Sequence, residues 1–258
     1  MSKKMLLGAA TVSLLAISSA ASAAPVLTIS SEGESAADSA KNTFDSTFQN
    51  VFIESFEGPS KGNFGTDKTF SSVGTFTQDS AGSGGICGDG GRSCTGLRID
   101  DDSSTPYTGR FATQGSQWLD SNDSTEMRWD RTSPTGVSSV NAVGFYITDA
   151  NDAGGRMDVT TTDGSMLSTN SNDIFGSDLA NGTELFLTIS TCNETDVIEQ
   201  ISWAPNDSSD GFGIDGFRIG EVSSGGGQQI PLPSTVALLG VGLIAAGFIG
   251  RRTRGCVS

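Results

Sequence analysis

Short β-type runs, each closed off by turn residues, dominate this chain from Asn50 onward and narrow the fold more than any other feature. Residues 50–56 alternate, with Phe52, Glu54 and Phe56 on one face and Val51, Ile53 and Ser55 on the other. Further runs fall at 69–77, 125–129, 137–148, 156–161, 184–190, 197–203 and 212–219, bounded by Gly, Asn, Asp or Pro. No amphipathic stretch is long enough to cover a parallel sheet. This pattern predicts an all-β body over residues 50–222, an antiparallel β-sandwich of jelly-roll-like build. Ahead of it, residues 24–49 read as a leader with a short helix, because Ala36, Ala40, Phe44 and Phe48 recur every four residues. The Gly-rich stretch 80–96 reads as an exposed loop, and 223–229 as a flexible linker.

Composition removes several chemistries. The chain has no histidine, so Ser-His-Asp and Cys-His catalysis and His-ligated zinc are excluded. Of its 15 Lys and Arg, five (Lys3, Lys4, Arg251, Arg252 and Arg254) lie in the terminal segments, where there is no acid. The body therefore holds 10 basic residues against its 30 acids, a net of −20. Such a surface repels nucleic acid, and no nucleic-acid partner is expected. Cys87 and Cys94 flank the flexible Gly-Asp-Gly-Gly-Arg-Ser segment, and a disulfide between them is expected in an exported protein. Cys192 stays either free or as an alternative partner.

Both ends read as addresses. Lys3 and Lys4 precede an apolar run from Met5 to Ile17, and Ala21-Ser22-Ala23 is an A-x-A site, so residues 1–23 read as a signal peptide for signal peptidase. The mature chain is expected to start at Ala24. At the other end, Pro231 and Pro233 cannot extend a regular element, and residues 236–249 are uninterruptedly apolar. As a helix, those 14 residues would be about 21 Å long, short against a bilayer core of about 30 Å. A single transmembrane helix over 234–250 spans only with local thinning or with help from neighbouring neutral residues. Arg251, Arg252 and Arg254 follow at once and hold that end cytoplasmic, with the body on the far side.

This tail resembles the PEP-CTERM protein-sorting signal, in the variant with a Val-Pro-Leu-Pro-Ala box. Here the box reads Ile230-Pro231-Leu232-Pro233-Ser234, with Ile for Val and Ser for Ala, over a sorting segment 230–254. The resemblance implies an exosortase-type membrane enzyme as partner, cleavage near the box, and a route from an inner-membrane tether, with the body in the periplasm, to the cell surface or extracellular matrix. Parts of the body are similar to jelly-roll domains that accompany such signals. The segments are Phe52-Ile-Glu-Ser-Phe-Glu-Gly58, Val143-Gly-Phe-Tyr-Ile-Thr-Asp149 and Asp210-Gly-Phe-Gly-Ile-Asp-Gly-Phe-Arg-Ile219. In that company, Glu57 near the first strand and Asp215 in the last could share a structural Ca²⁺, which takes six to eight oxygens. The commoner role for both is that of solvated loop acids.

Other acids read as turns. Asp100, Asp101 and Asp102 read as a solvated turn at a strand end, and Asp149, Asn151 and Asp152 as a turn that fails calcium-loop spacing. Trp118, Trp129, Trp203, Tyr107 and Tyr146 offer a sugar-stacking platform if exposed; alternation instead assigns Trp129 and Trp203 to the core. Sequons at Asn122, Asn181, Asn193 and Asn206 read as polar, turn-like surface. The resulting expectation is an exported, non-enzymatic surface or matrix protein with a structural or adhesive role. The alternatives are a carbohydrate-binding module for exopolysaccharide and a secreted polysaccharide hydrolase.

Overall fold

Turn residues cut the body into fourteen strands and two helices among the described residues of the computed structural model, which are 24–88, 92–101, 109–131, 137, 139–150, 155–170, 181–191 and 194–222. The first part of the chain forms β1 (Val26–Ile29), α1 (Glu34–Thr47), β2 (Gln49–Glu54), β3 (Gly62–Asn63), β4 (Asp67–Phe70) and β5 (Gly74–Ser80). Then come α2 (Gly85–Gly88), β6 (Arg98–Asp101), β7 (Gln117–Asp120), β8 (Glu126–Asp130) and β9 (Ala142–Thr148). The last five strands are β10 (Arg156–Thr161), β11 (Met166–Asn170), β12 (Glu184–Ser190), β13 (Ile198–Ala204) and β14 (Gly213–Glu221).

These strands form two antiparallel sheets. The larger runs β1-β12-β9-β14-β7-β6-β3, with β2 also paired to β14; the smaller runs β11-β10-β13-β8-β5-β4. Consecutive strands repeatedly change sheet, so the inner faces of both sheets close over one core, as in a sandwich. Phe217 is its hub. Its ring stacks on Phe145 at 5.5 Å and meets Phe76 edge-on at 5.0 Å and Trp129 at 5.3 Å. Trp129 is fully buried because its indole N–H has a partner, the Val73 carbonyl at 3.0 Å.

Helix α1 covers the outer face of the larger sheet and makes a third layer. Ala37, Ala40, Phe44 and Phe48 pack on Ala142, Tyr146, Phe186 and Val51. Gly144 permits this approach: a Cβ there would lie 2.8 Å from both the Phe44 and Phe186 rings. With both faces covered, every residue of β9 is buried, and β9 reads as a continuous apolar run rather than an alternating one.

The structure departs from the sequence reading in four places. Residues 24–49 are not a leader apart from the body, since β1 is an edge strand and α1 is part of the packing. Residues 69–77 do not make one strand; β4 and β5 form a hairpin that turns between Phe70 and Gly74. Strands β3, β6, β7 and β11 were not expected, because their polar residues mask the alternation. Asp100 and Asp101 are not a solvated turn but the end of β6, and Asp100 has no exposure.

Candidate functional site

Five strands of the larger sheet meet in register at one end of the sandwich. Glu184, Thr148, Gly213, Asp120 and Arg98 lie on one rung across β12, β9, β14, β7 and β6. The loops that leave this rung carry two buried acids, Asp123 and Asp149. Three of their residues, Asn122, Asp123 and Asp149, hold positive φ of 54–62°. Asn and Asp accept that conformation more readily than other residues with a side chain, and each is held there by hydrogen bonds.

Arg110 stands at the centre of this end. Its guanidinium is within 3.0 Å of Asp120, 2.7 Å of Asp123, 3.1 Å of Asp210 and 3.8 Å of Asp149. All but Asp210 are buried. Burial works against the charge on Arg110, but the carboxylates of Asp120 and Asp123 outweigh it and hold its pKa above the ordinary value. Burial also pushes the Asp120 carboxyl up, opposed by Arg110. Each acid takes backbone donors as well. The N–H of Asn122 donates to Asp120, that of Cys87 to Asp123, that of Gly182 to Asp149 and that of Gly211 to Asp210. One guanidinium therefore joins five separate loop segments.

Glu57 and Asp215 are both brought to the loop at 113–117, at opposite ends of it. Asp215, 1% exposed, accepts from the Thr113 and Gln114 N–H groups at 2.8 and 2.6 Å through one oxygen, and from Gly216 N–H through the other. Exposed Glu57 accepts from the Ser116 and Gln117 N–H groups at 2.6 and 2.7 Å. Burial pushes Asp215 up to about 7, against the pull of those N–H donors. In Glu57 the Ser116 N–H prevails over the modest cost of burial and holds the carboxyl below its usual range. The loop itself explains the fit: at Gly115, φ is 79° and a Cβ would sit 2.4 Å from Glu57 Oε1. N–H donors surround both carboxylates, and among the described residues no three His, Cys, Asp or Glu side chains gather as a metal cage. As built, the pair is a clamp on a loop.

Arg218 ties that loop to the helix. It donates to Gln114 Oε1 and to Asp45 Oδ1 of α1, each at 3.0 Å, while its guanidinium lies 5.9 Å from the Tyr146 and Phe186 ring centres. Tyr146 in turn donates from its hydroxyl to Asp38 of α1 at 2.5 Å. Near the start of the helix, burial pushes the Glu184 carboxyl up to about 7, reinforced by Glu34 and Asp38.

A disulfide joins Cys87 to Cys94, with their Cα atoms 4.7 Å apart. Trp118, Trp129, Trp203 and Tyr146 are buried, so none of these four offers a face to a sugar. Asn122 is no surface sequon: it is buried and donates to the Ser93 and Gly96 carbonyls. Asp149, read as a turn, is in one; its side chain nonetheless belongs to the buried network. Sequence reasoning missed Arg110, Asp120, Asp123, Asp210 and Arg218. The usable signal was an arginine inside an apolar strand, as at Gly-Phe-Arg218-Ile, which has to be paired if it is buried.

Several expectations lie outside the described residues: the signal peptide with Ala21 and Ala23, Tyr107, Asp102, Asn151, Asp152, Cys192, Asn193, the linker, and the whole tail from Ile230 to Arg254. Among the described residues no helix is long and apolar enough to cross a membrane. The family model of the PEP-CTERM protein-sorting motif matches residues 229–254, and the motif marks the chain for export and for processing by an exosortase-type membrane enzyme. No curated protein matches the chain.

Proposed function

We propose, with the C-terminal sorting motif as premise, that this protein is a non-enzymatic structural or adhesive component of the cell surface or extracellular matrix. It is exported by its N-terminal signal, held at the inner membrane by its tail, and released or transferred when the sorting enzyme cuts near Ile230-Pro-Leu-Pro-Ser234. The observation that carries this reading is the match at 229–254, which starts only seven residues beyond Val222, the last described residue of the body. Cutting there removes none of the described strands, the last of which ends at Glu221, so the sandwich keeps its core after release.

The charge network supports a structural role. Its carboxylates face a guanidinium and backbone N–H donors, an arrangement that sets loop conformation. The glycan-binding alternative is disfavoured, because the three tryptophans and Tyr146 are committed to packing. The hydrolase alternative needs two carboxylates across a cleft, and the four acids of this network face Arg110 and backbone N–H donors instead.

The test is intact-mass measurement of the protein recovered from cells with and without the sorting enzyme. A polypeptide beginning at Ala24 and ending near Ser234, seen only when the enzyme is present, is expected. Recovery from the cytosol with both termini whole would refute the reading.

A further inference from the structure

The register of the larger sheet places both chain exits at one end. Val26 of β1 pairs with Ser190 of β12, Ser190 with Ala142 of β9, and Ala142 with Gly220 of β14. These residues share one rung, so Val26 and Gly220 are three strand spacings apart, about 14 Å. Ala24 lies two residues before the rung and Val222 two residues after it. The Arg110 network lies at the other end of the same strands, seven residues away along β14 and six along β9 and β12, or about 20–23 Å. The connections at 121–125, 205–212 and the disulfide loop gather at that far end, because β7, β13 and β5 end there (Asp120, Ala204 and Ser80).

From this layout we infer that the sandwich is held with a set polarity: the end with both exits faces the membrane and the sorting enzyme, and the Arg110 end is presented outward to extracellular partners. The inference rests on the tethering proposed above and adds the direction of presentation. Tether length decides it. Were the eight residues from Val222 to Ile230 a random coil, their root-mean-square span would be about 15 Å, less than the length of the strands. The body can lean on such a tether, but it cannot readily turn its far end to the lipid. The body's net negative charge also keeps it from lying flat on anionic headgroups.

The test uses the full mature chain in vesicles of zwitterionic and anionic lipid doped with headgroup-nitroxide lipid. Cys192 and Cys256 are replaced by Ser, and a fluorophore is attached at Glu194→Cys (near end) or Asn206→Cys (far end). Quenching at least threefold stronger at 194 than at 206 is expected. Equal quenching, or stronger quenching at 206, would overturn the polarity. Absence of quenching at both positions would overturn the tethering itself. A spin-label distance between Ala24→Cys and Val222→Cys reads the geometry independently of any membrane. A value of about 15–25 Å, allowing for the label arms, agrees with the shared rung, and one beyond about 35 Å refutes it.

Discussion

Glu57 and Asp215 hold one loop from its two ends, Asp215 at Thr113 and Gln114, Glu57 at Ser116 and Gln117. The two acids are 158 positions apart in sequence, and neither is near the loop in the chain. Substituting Asp215 by Asn turns an acceptor oxygen into an NH₂ group facing N–H donors. The loss should be about 1–3 kcal/mol by urea unfolding, because the site is buried. Glu57→Gln, at an exposed site, should cost less than 1 kcal/mol. Calcium is tested on the same residues. A clamp made of N–H donors predicts the same melting midpoint with chelator as with added Ca²⁺, whereas a calcium-dependent rise that disappears in Asp215→Asn would show that the pair holds the ion.

Arg110→Met should be among the most damaging single changes. It would leave Asp120 and Asp123 buried without their counter-charge, a loss of about 3–5 kcal/mol. Arg110→Lys should recover only part of it, since an ammonium cannot reach Asp120, Asp123 and Asp210 with one planar fork. Denaturant midpoints of the two variants provide the check. Equal midpoints for wild type and Met would show that the network contributes nothing.

The pH dependence should have a definite sign between about 4.5 and 7. Glu184 has a pKa raised by burial to about 7, so the folded state holds its proton more tightly than the unfolded chain does. Its contribution is fully present below the unfolded value and is lost as pH rises through about 7. Glu184→Gln should match wild type at pH 4 and exceed it at pH 8 by about 1–2 kcal/mol, less than full linkage because solvent reaches the carboxyl. Asp215, raised in the same direction, should supply the slope that remains in the variant. Stability curves at four or five pH values would decide, and a Glu184→Gln protein with an unchanged slope would contradict the assignment.

Replacing both Cys87 and Cys94 with Ala opens a short loop and should cost about 2.5 kcal/mol by loop-closure entropy. The effect should extend to Asp123, because the Cys87 N–H donates to it. Hydrogen exchange at Cys87 in the reduced wild-type protein should therefore speed up, while exchange in β9 should not.

Legibility varied with what each residue has to do. Strands β10 and β12 were bounded correctly from turn residues alone, and a short helix was read where α1 lies, because Ala40, Phe44 and Phe48 pack where their spacing puts them. Strands β6 and β7 escaped notice. Asp100 read as part of a solvated turn and Asp120 gave no signal at all, and only long-range pairing turns them inward. The charged network escaped for the same reason: Arg110 meets Asp210 across 100 positions, and no local pattern records such a meeting.

The chain by itself determined its strand-rich character, the chemistries closed to it by the lack of histidine, and the sorting motif. Each of these depends on residue type and short-range spacing. Tertiary structure alone decided that α1 forms a third layer, that Trp118 and Tyr146 are packing rather than platform, that Glu57 and Asp215 serve a loop, and that both chain exits share one end. Those outcomes depend on which strands become neighbours. Burial of apolar surface selects that arrangement for the molecule as a whole, so no single segment encodes it.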